Sequence, residues 1–168
     1  QNPLLLEKST KGLEFVQPEG NFQTQGVEVN LKWNYRDFKL FTGYTLADVT
    51  QEVNGKTNPY PLVARHRLNN VLMFEKHENF RIGLEAYYFS PQMLNDGKEG
   101  QSYWIFGLMA EKALGEHFSV FINFENFLDA RQTRFDTIYT GDLGNPEFRD
   151  IYAPVDGFVI NGGVKLNF

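Results

Sequence analysis

From Gln25 the chain alternates. Val27, Val29, Leu31, Trp33 and Tyr35 take every second position, with Glu28, Asn30, Lys32 and Asn34 between them. A period of two puts one apolar and one polar face on a strand. The run is long enough to cross a bilayer when tilted. After a polar turn at Tyr35-Arg36-Asp37, the run from Phe38 to about Thr50 sets Leu40, Thr42, Tyr44 and Leu46 against Lys39, Phe41, Gly43 and Thr45. A strand over 64–76 follows, with its faces open because Asn69 and Asn70 fall on opposite sides. Phe80, Ile82, Leu84, Ala86 and Tyr88 then oppose Arg81, Gly83, Glu85 and Tyr87. Trp104, Phe106, Leu108 and Ala110 oppose Gly107, Met109 and Glu111, and Phe118, Val120, Ile122 and Phe124 oppose Ser119, Phe121, Asn123 and Glu125. The last strand carries Phe158, Ile160, Val164, Leu166 and Phe168 on one side.

The connections between these strands alternate in length. The turns 35–37, 77–79 and 114–116 are short, whereas 51–63, 90–101 and 129–154 are long, polar and rich in Gly, Pro, Asn and Asp. Loops of that length are uncommon in compact domains. Placing every one at the same end is the habit of membrane barrels, with short periplasmic turns and long extracellular loops. The pattern therefore predicts an all-β, antiparallel, up-and-down transmembrane β-barrel segment of about seven to eight strands. Aromatics near strand ends (Trp33, Tyr35 and Phe118 at one end; Tyr88, Tyr103 and Trp104 at the other) fit interface girdles.

Composition narrows the partners. The 168 residues hold 16 Lys plus Arg against 21 Asp plus Glu, a formal net charge of -5, which argues against a nucleic-acid backbone. With no cysteine, disulfides and thiolate metal sites are excluded. The mean hydropathy is -0.41, and no run approaches the roughly 18 apolar residues of a membrane helix. A barrel is untouched by that test, since only alternate residues face lipid. The first residues show no basic leader region, so the expectation is a removed leader or a longer parent chain.

Catalytic chemistry is not written in the sequence. His66, His77 and His117 are scattered without metal-ligand spacing. No nucleophile elbow, phosphate-cradling glycine loop or dinucleotide fingerprint occurs. Glu85, Glu111 and Glu125 fall on the polar faces, where carboxylates are usually only wet. The expectation is a non-enzyme with no catalytic residue, cofactor or metal. Tyr60, Tyr139 and Tyr152 are the loop aromatics that could touch a ligand at an outer mouth.

The chain closes on Asn161-Gly162-Gly163-Val164-Lys165-Leu166-Asn167-Phe168. Asn161, Gly163, Leu166 and Phe168 resemble the barrel-assembly signal of outer-membrane proteins, whose exposed strand edge pairs with the barrel-assembly machinery. Four further segments resemble the closing strands of TonB-dependent outer-membrane receptors. They are Gln25-Gly26-Val27-Glu28-Val29, Thr42-Gly43-Tyr44-Thr45-Leu46-Ala47-Asp48, Pro61-Leu62-Val63-Ala64-Arg65-His66 with one extra residue, and Glu125-Asn126-Phe127-Leu128-Asp129-Ala130-Arg131 with Phe and Leu exchanged. The expected roles are structural. Gly26 and Gly43 would leave room on crowded strands, and Asn126 and Asp129 would satisfy free backbone donors where a strand ends.

The resemblance implies a plugged barrel of about 22 strands in the bacterial outer membrane. It implies uptake of a scarce nutrient (siderophore-iron, cobalamin, a glycan or a peptide) driven by TonB through an N-terminal part. Seven strands and the stub Pro3–Lys8 cannot close such a barrel. Residues 1–168 are therefore expected to be its C-terminal part, with the plug and the N-terminal barrel strands outside this chain. Two alternatives stand beside it: a small self-contained eight-stranded outer-membrane barrel with a structural or adhesive role, and a soluble lipocalin-like carrier. The carrier requires Phe158, Ile160, Val164 and Leu166 to line a closed pocket.

Overall fold

The computed structural model describes residues 5–9, 12–17, 20–53, 55–76 and 79–166. Twelve strands and one short helix follow in order: β1 (Leu5–Ser9), β2 (Gly12–Val16), β3 (Phe22–Tyr35), β4 (Phe38–Val53), β5 (Lys56–Pro59), β6 (His66–Lys76), β7 (Phe80–Phe89), β8 (Tyr103–Ala113), β9 (Phe118–Glu125), α1 (Gln132–Phe135), β10 (Tyr139–Thr140), β11 (Glu147–Phe148) and β12 (Val159–Leu166). The main sheet is antiparallel, in the order β12-β9-β8-β7-β6-β4-β3, with β5 folded back on β4. Neighbours on the main path follow one another along the chain, with only β5 intervening between β4 and β6 and α1, β10 and β11 between β9 and β12, so the sheet runs up and down.

Register assigns every side chain to a face. One row runs Trp33, Leu40, Leu72, Leu84, Leu108, Phe124 and Ile160; the adjacent row runs Tyr35, Phe38, Phe74, Ile82, Ala110 and Ile122. Opposite partners share a face and successive residues alternate, so these rows and every second residue beyond them form one apolar face. Asn70 lies on that face as the direct partner of Thr42, and Asn69 lies on the other. This resolves the strand whose faces the sequence left open. Thr42 and Asn70 are the polar interruption in the middle of the apolar face.

The apolar face is not covered. Val29, Leu31, Ile160, Val164 and Leu166 each keep more than half of their surface accessible. Phe158 is 45% exposed, so the four residues that a soluble carrier needs in a closed pocket do not line one. On the polar face the side chains crowd instead: Ser119 and Gly43 are buried, and the Glu111 carboxylate is 18% exposed. Splayed groups on one side and crowded groups on the other are the mark of a sheet that curls toward its polar side.

Three expectations change in detail. The segment 51–63 is not a plain loop: β4 runs on to Val53 and turns through Gly55 (φ 72°) into β5. Pro59 is tolerated there because it ends an edge strand, where no ladder donor is missed. Tyr103 stacks on Phe89 at 4.9 Å on the polar face, so it leaves the outer aromatic girdle to Tyr88 and Trp104, which are 5.0 Å apart. The stub expected over Pro3–Lys8 forms β1, which pairs with β2 and takes no place in the main sheet, while residues 3 and 4 lie outside the described residues.

The exit of β9 shows why Asn and Asp stand at that corner. Asn126 and Asp129 both adopt positive φ (48° and 56°), the left-handed region that Asn and Asp tolerate best among residues with a side chain. The Asn126 amide donates to the carbonyls of Ala130 (2.9 Å) and Asp156 (3.2 Å), and its oxygen accepts the Ala130 N–H (2.9 Å). Asp129 accepts the Phe158 N–H at 3.2 Å and pairs with Arg131 and Arg134, both at 2.8 Å. Together they fix the point where the chain leaves β9 to the point where it enters β12. Replacing Asn126 with Ala should lower stability by about 1–3 kcal/mol, because buried backbone groups lose their partners. Asn126→Asp, which keeps the acceptor for Ala130, should lose less. Equal urea midpoints for wild type and Asn126→Ala would refute this role.

Candidate functional site

The loop ends of the strands gather into one small structured cap. Its core is Leu94, Tyr152 and Ala153, with Tyr103 and Phe135 packed against them. Gln132, fully buried at the start of α1, organises it. Its side-chain oxygen accepts the N–H groups of Tyr152 (2.9 Å) and Ala153 (3.1 Å), and its amide nitrogen donates to the Asp150 carbonyl at 2.8 Å. Its own backbone N–H bonds the Pro154 carbonyl at 2.8 Å. One glutamine thus pairs four backbone groups of the returning loop, which would otherwise be buried without partners.

Tyr152 joins that loop to the one before it. Its carbonyl accepts from Gln92 (3.0 Å) and the Tyr103 hydroxyl (2.9 Å), and its hydroxyl donates to Asp136 (2.9 Å) while accepting the Gln101 N–H (3.0 Å). Gly100 lies flat against the ring, where a Cβ would come within 2.7 Å of it. Burial, and after it the Asp136 carboxylate, pushes the Tyr152 phenol above its ordinary value. The stabilising contribution is therefore complete below the ordinary tyrosine pKa of about 10 and is lost as the pH rises through the raised value. Tyr152 is thus buried scaffold in this structure. Tyr60 is half-buried, edge-on to Phe22 at 5.1 Å, and Tyr139 is exposed, paired across the β10–β11 ribbon with Phe148.

A recess of about 440 Å³ opens between the 90–101 loop and the ribbon, lined by Asp96, Lys98, Glu147, Phe148, Arg149 and Asp150 among others. The backbone N–H and ammonium of Lys98, with Arg149 beyond them, hold the Asp96 carboxyl below the usual carboxylate range. Phe148 is 71% exposed at its rim. Mixed charge beside an exposed aromatic is a surface able to meet a polar ligand. Sequence reading missed these residues because loop charges give no period to read; the exposed Phe in a polar stretch was the available signal.

The polar face behind the cap divides in two. Toward the short turns, Lys39 and Arg81 (3.0 Å) both pair with Glu75, and Lys165 bonds Glu111 at 2.8 Å, with Ser119 also donating to it. Nearer the cap, Glu85 accepts from the Tyr87 hydroxyl at 2.9 Å and Glu125 from Asn161 at 2.5 Å, both neutral donors. These two carboxylates flank Gly107 in a recess of about 380 Å³ that also takes in Asn123 and Asn126. Of the assembly-signal residues, Asn161 also accepts from Asn123 at 2.9 Å, and Gly163 lies against the Phe121 ring. Leu166 stands exposed on the apolar face, and Phe168 lies outside the described residues, as does His77. His66 bonds the Tyr44 hydroxyl at 2.8 Å on the apolar side.

Comparison with known families matches residues 9–127, well over half of the chain, to the family described as TonB dependent receptor-like, beta-barrel. The chain belongs to that family. Its members are outer-membrane transport receptors of Gram-negative bacteria, and the all-β up-and-down sheet fits them. No curated protein matches the chain. The match covers β2 to β9, whereas Gln132, the 132–154 half of the cap and β12 lie beyond it.

Gln132→Leu keeps the volume and removes the bonds. It should abolish hydrogen-exchange protection at the Tyr152 and Ala153 amides and loosen 92–101 and 132–154 together, leaving β6 to β9 protected. Unchanged protection at those two amides would show that the glutamine does not hold the cap.

Proposed function

We propose that this chain forms part of the wall of an outer-membrane receptor that takes up a scarce nutrient, with energy from the TonB system. The observation that carries it is the bounded height of the apolar face. On β4 the face is apolar from Phe38 to Leu46 save for Thr42, then turns polar at Asp48 and Thr50; on β3 it is apolar from Val27 to Tyr35 and polar at Gln25 and Gln23. On β6 it runs from Leu68 to Phe74, closed by His66 at one end and Lys76 at the other. Ten residues of β7 at about 3.3 Å each, tilted by about 45°, rise roughly 23 Å. That agrees with an outward apolar band about 25 Å tall. A soluble sheet gains nothing from an exposed apolar band that turns polar at the loop end and carries Lys76 and Lys112 in its last row at the turn end.

In this reading the polar face lines the lumen, the turns near Arg36, Asn79 and Gly115 are periplasmic, and the Gln132 cap sits at the extracellular mouth. The chain supplies the C-terminal strands of the barrel, and its remaining strands and plug complete it through the edges of β3 and β12, which are unpaired among the described residues. The free β12 edge, with Asn161, Gly163 and Leu166, would meet the barrel-assembly machinery. Tyr60, Tyr139 and the Phe148–Arg149 recess are the surfaces offered to a ligand, whether siderophore-iron, cobalamin, a glycan or a peptide. Coupling to TonB rests on family membership. The reading assigns the chain no catalysis.

Leu84 stands near mid-height on the apolar face and Met73 on the polar face opposite Gly83, where there is room. Leu84→Arg should destabilise the receptor in lipid by about 2–4 kcal/mol, and Met73→Arg by much less. The reverse order in reversible unfolding would remove the membrane reading. Growth of a strain lacking the full gene on iron chelates, cobalamin, glycans or peptides as the scarce source tests uptake. Undiminished growth on all of them would reject it.

A further inference from the structure

The apolar face carries a pair of cations where it ends. Lys76, Phe80 and Lys112 are successive direct partners on β6, β7 and β8, so all three project from one row of the same face. The row above is Phe74, Ile82 and Ala110, and beyond it comes Leu72, Leu84 and Leu108. The row is therefore the last of the band on the side of the short turns. Two interstrand spacings of about 4.8 Å place the two lysine backbones about 10 Å apart with an aromatic ring between them.

Among the described residues neither ammonium has a carboxylate partner. Glu75 and Glu111, the sequence neighbours of the two lysines, point to the polar face and are engaged by Lys39, Arg81, Lys165 and Ser119. Among the described residues Lys76 and Lys112 form no ion pair, and both are exposed. A shallow recess of about 470 Å³ lies over the row, lined by Lys76, Asn79, Phe80 and Lys112. The backbone of Asn79 is engaged: its N–H donates to the Lys76 carbonyl and its carbonyl accepts the Ala113 N–H, which holds Asn79 beside the recess.

We infer that Lys76, Phe80, Lys112 and Asn79 form a binding site for the phosphate of an anionic phospholipid in the periplasmic leaflet. The inference rests on the reading that this face meets lipid. Long lysine stems lie along apolar surface and lift their ammonium groups to headgroup depth. Two like charges on one row repel each other, and a phosphodiester between them neutralises both while an acyl chain descends over Phe80 and Phe74. Charge complementarity selects the anionic lipid, because a zwitterionic headgroup brings its own cation to the same place.

Native mass spectrometry of the full receptor carrying this chain, purified in neutral detergent and titrated with phosphatidylglycerol or with phosphatidylcholine of the same acyl chains, tests it. The expected result is a preference of about tenfold or more for phosphatidylglycerol, since each lysine near the surface contributes severalfold. The Lys76→Gln/Lys112→Gln pair should bring the preference to near unity, while Lys98→Gln in the outer loop leaves it intact. Equal retention of the two lipids by wild type, or an undiminished preference in the double variant, overturns the site. Full displacement of the lipid by soluble glycerol phosphate overturns the lipid as its source. Retention of neither lipid would instead refute the lipid-facing reading, so the two failures are distinct. Heat-modifiable migration of each variant confirms that it is folded.

Discussion

Everything in this structure depends on the strict alternation of side chains across hydrogen-bonded strands. Once β3 to β9 are paired in register, no residue is free to choose its face, and a slip of one position would exchange the two faces wholesale. The rows are long enough to penalise any slip. Trp33, Leu40, Leu72, Leu84, Leu108, Phe124 and Ile160 would all move to the polar side, and Lys39, Glu75, Arg81 and Glu111 would meet whatever covers the apolar one. A sheet with an apolar outside also needs its backbone groups satisfied by neighbouring strands, which the ladders provide between β3 and β12 and a closed barrel would provide at the two edges.

Glycine and small polar groups let that sheet curl. A Cβ at Gly43 would approach the Asn30 side-chain oxygen to 2.8 Å, and one at Gly162 the Phe121 carbonyl to 2.9 Å. At Gly26 it would run into the Leu46 carbonyl. These are places where strands or side chains come closer than any larger residue permits. Curvature toward the polar side in turn brings the charges of successive strands within reach, and so the ladder from Lys39 to Lys165 exists.

The periodic part of the fold was legible in the sequence because its cause is periodic. Strands β3, β4 and β7 to β9 follow from alternation alone, and the turns between them from their shortness. The Asn69–Asn70 step was ambiguous because two equal polar residues in succession carry no phase; only pairing with Gly43 and Thr42 assigns them. Tyr103 and Trp104 are both aromatics at a strand end, but adjacent positions cannot share a face, so only Trp104 belongs to the girdle. The cap was hidden for a different reason. Gln132 is one polar residue in a polar stretch, and its burial is decided by backbone groups 18 to 21 positions away that only the folded loop brings back to it. Tyr152 looked like a surface aromatic for the same reason, since nothing local marks the Gly100 backbone as its floor.

The two ends of the sheet differ in a way that bears on transport. At the turn end the polar face closes its charges on one another: Glu75 meets Lys39 and Arg81, and Glu111 meets Lys165. Groups so engaged have little to offer a passing solute. Toward the cap, among the described residues, Glu85 and Glu125 are held by the neutral donors Tyr87 and Asn161, with lone pairs left over beside a recess at Gly107. An interior that is self-satisfied below and unsatisfied above presents its hydrogen-bonding capacity to whatever stands beneath the loops. In the orientation proposed above, that capacity lies at the same end of the sheet as the Gln132 cap and the Phe148–Arg149 recess, so the polar groups open to a ligand gather at one end of the wall.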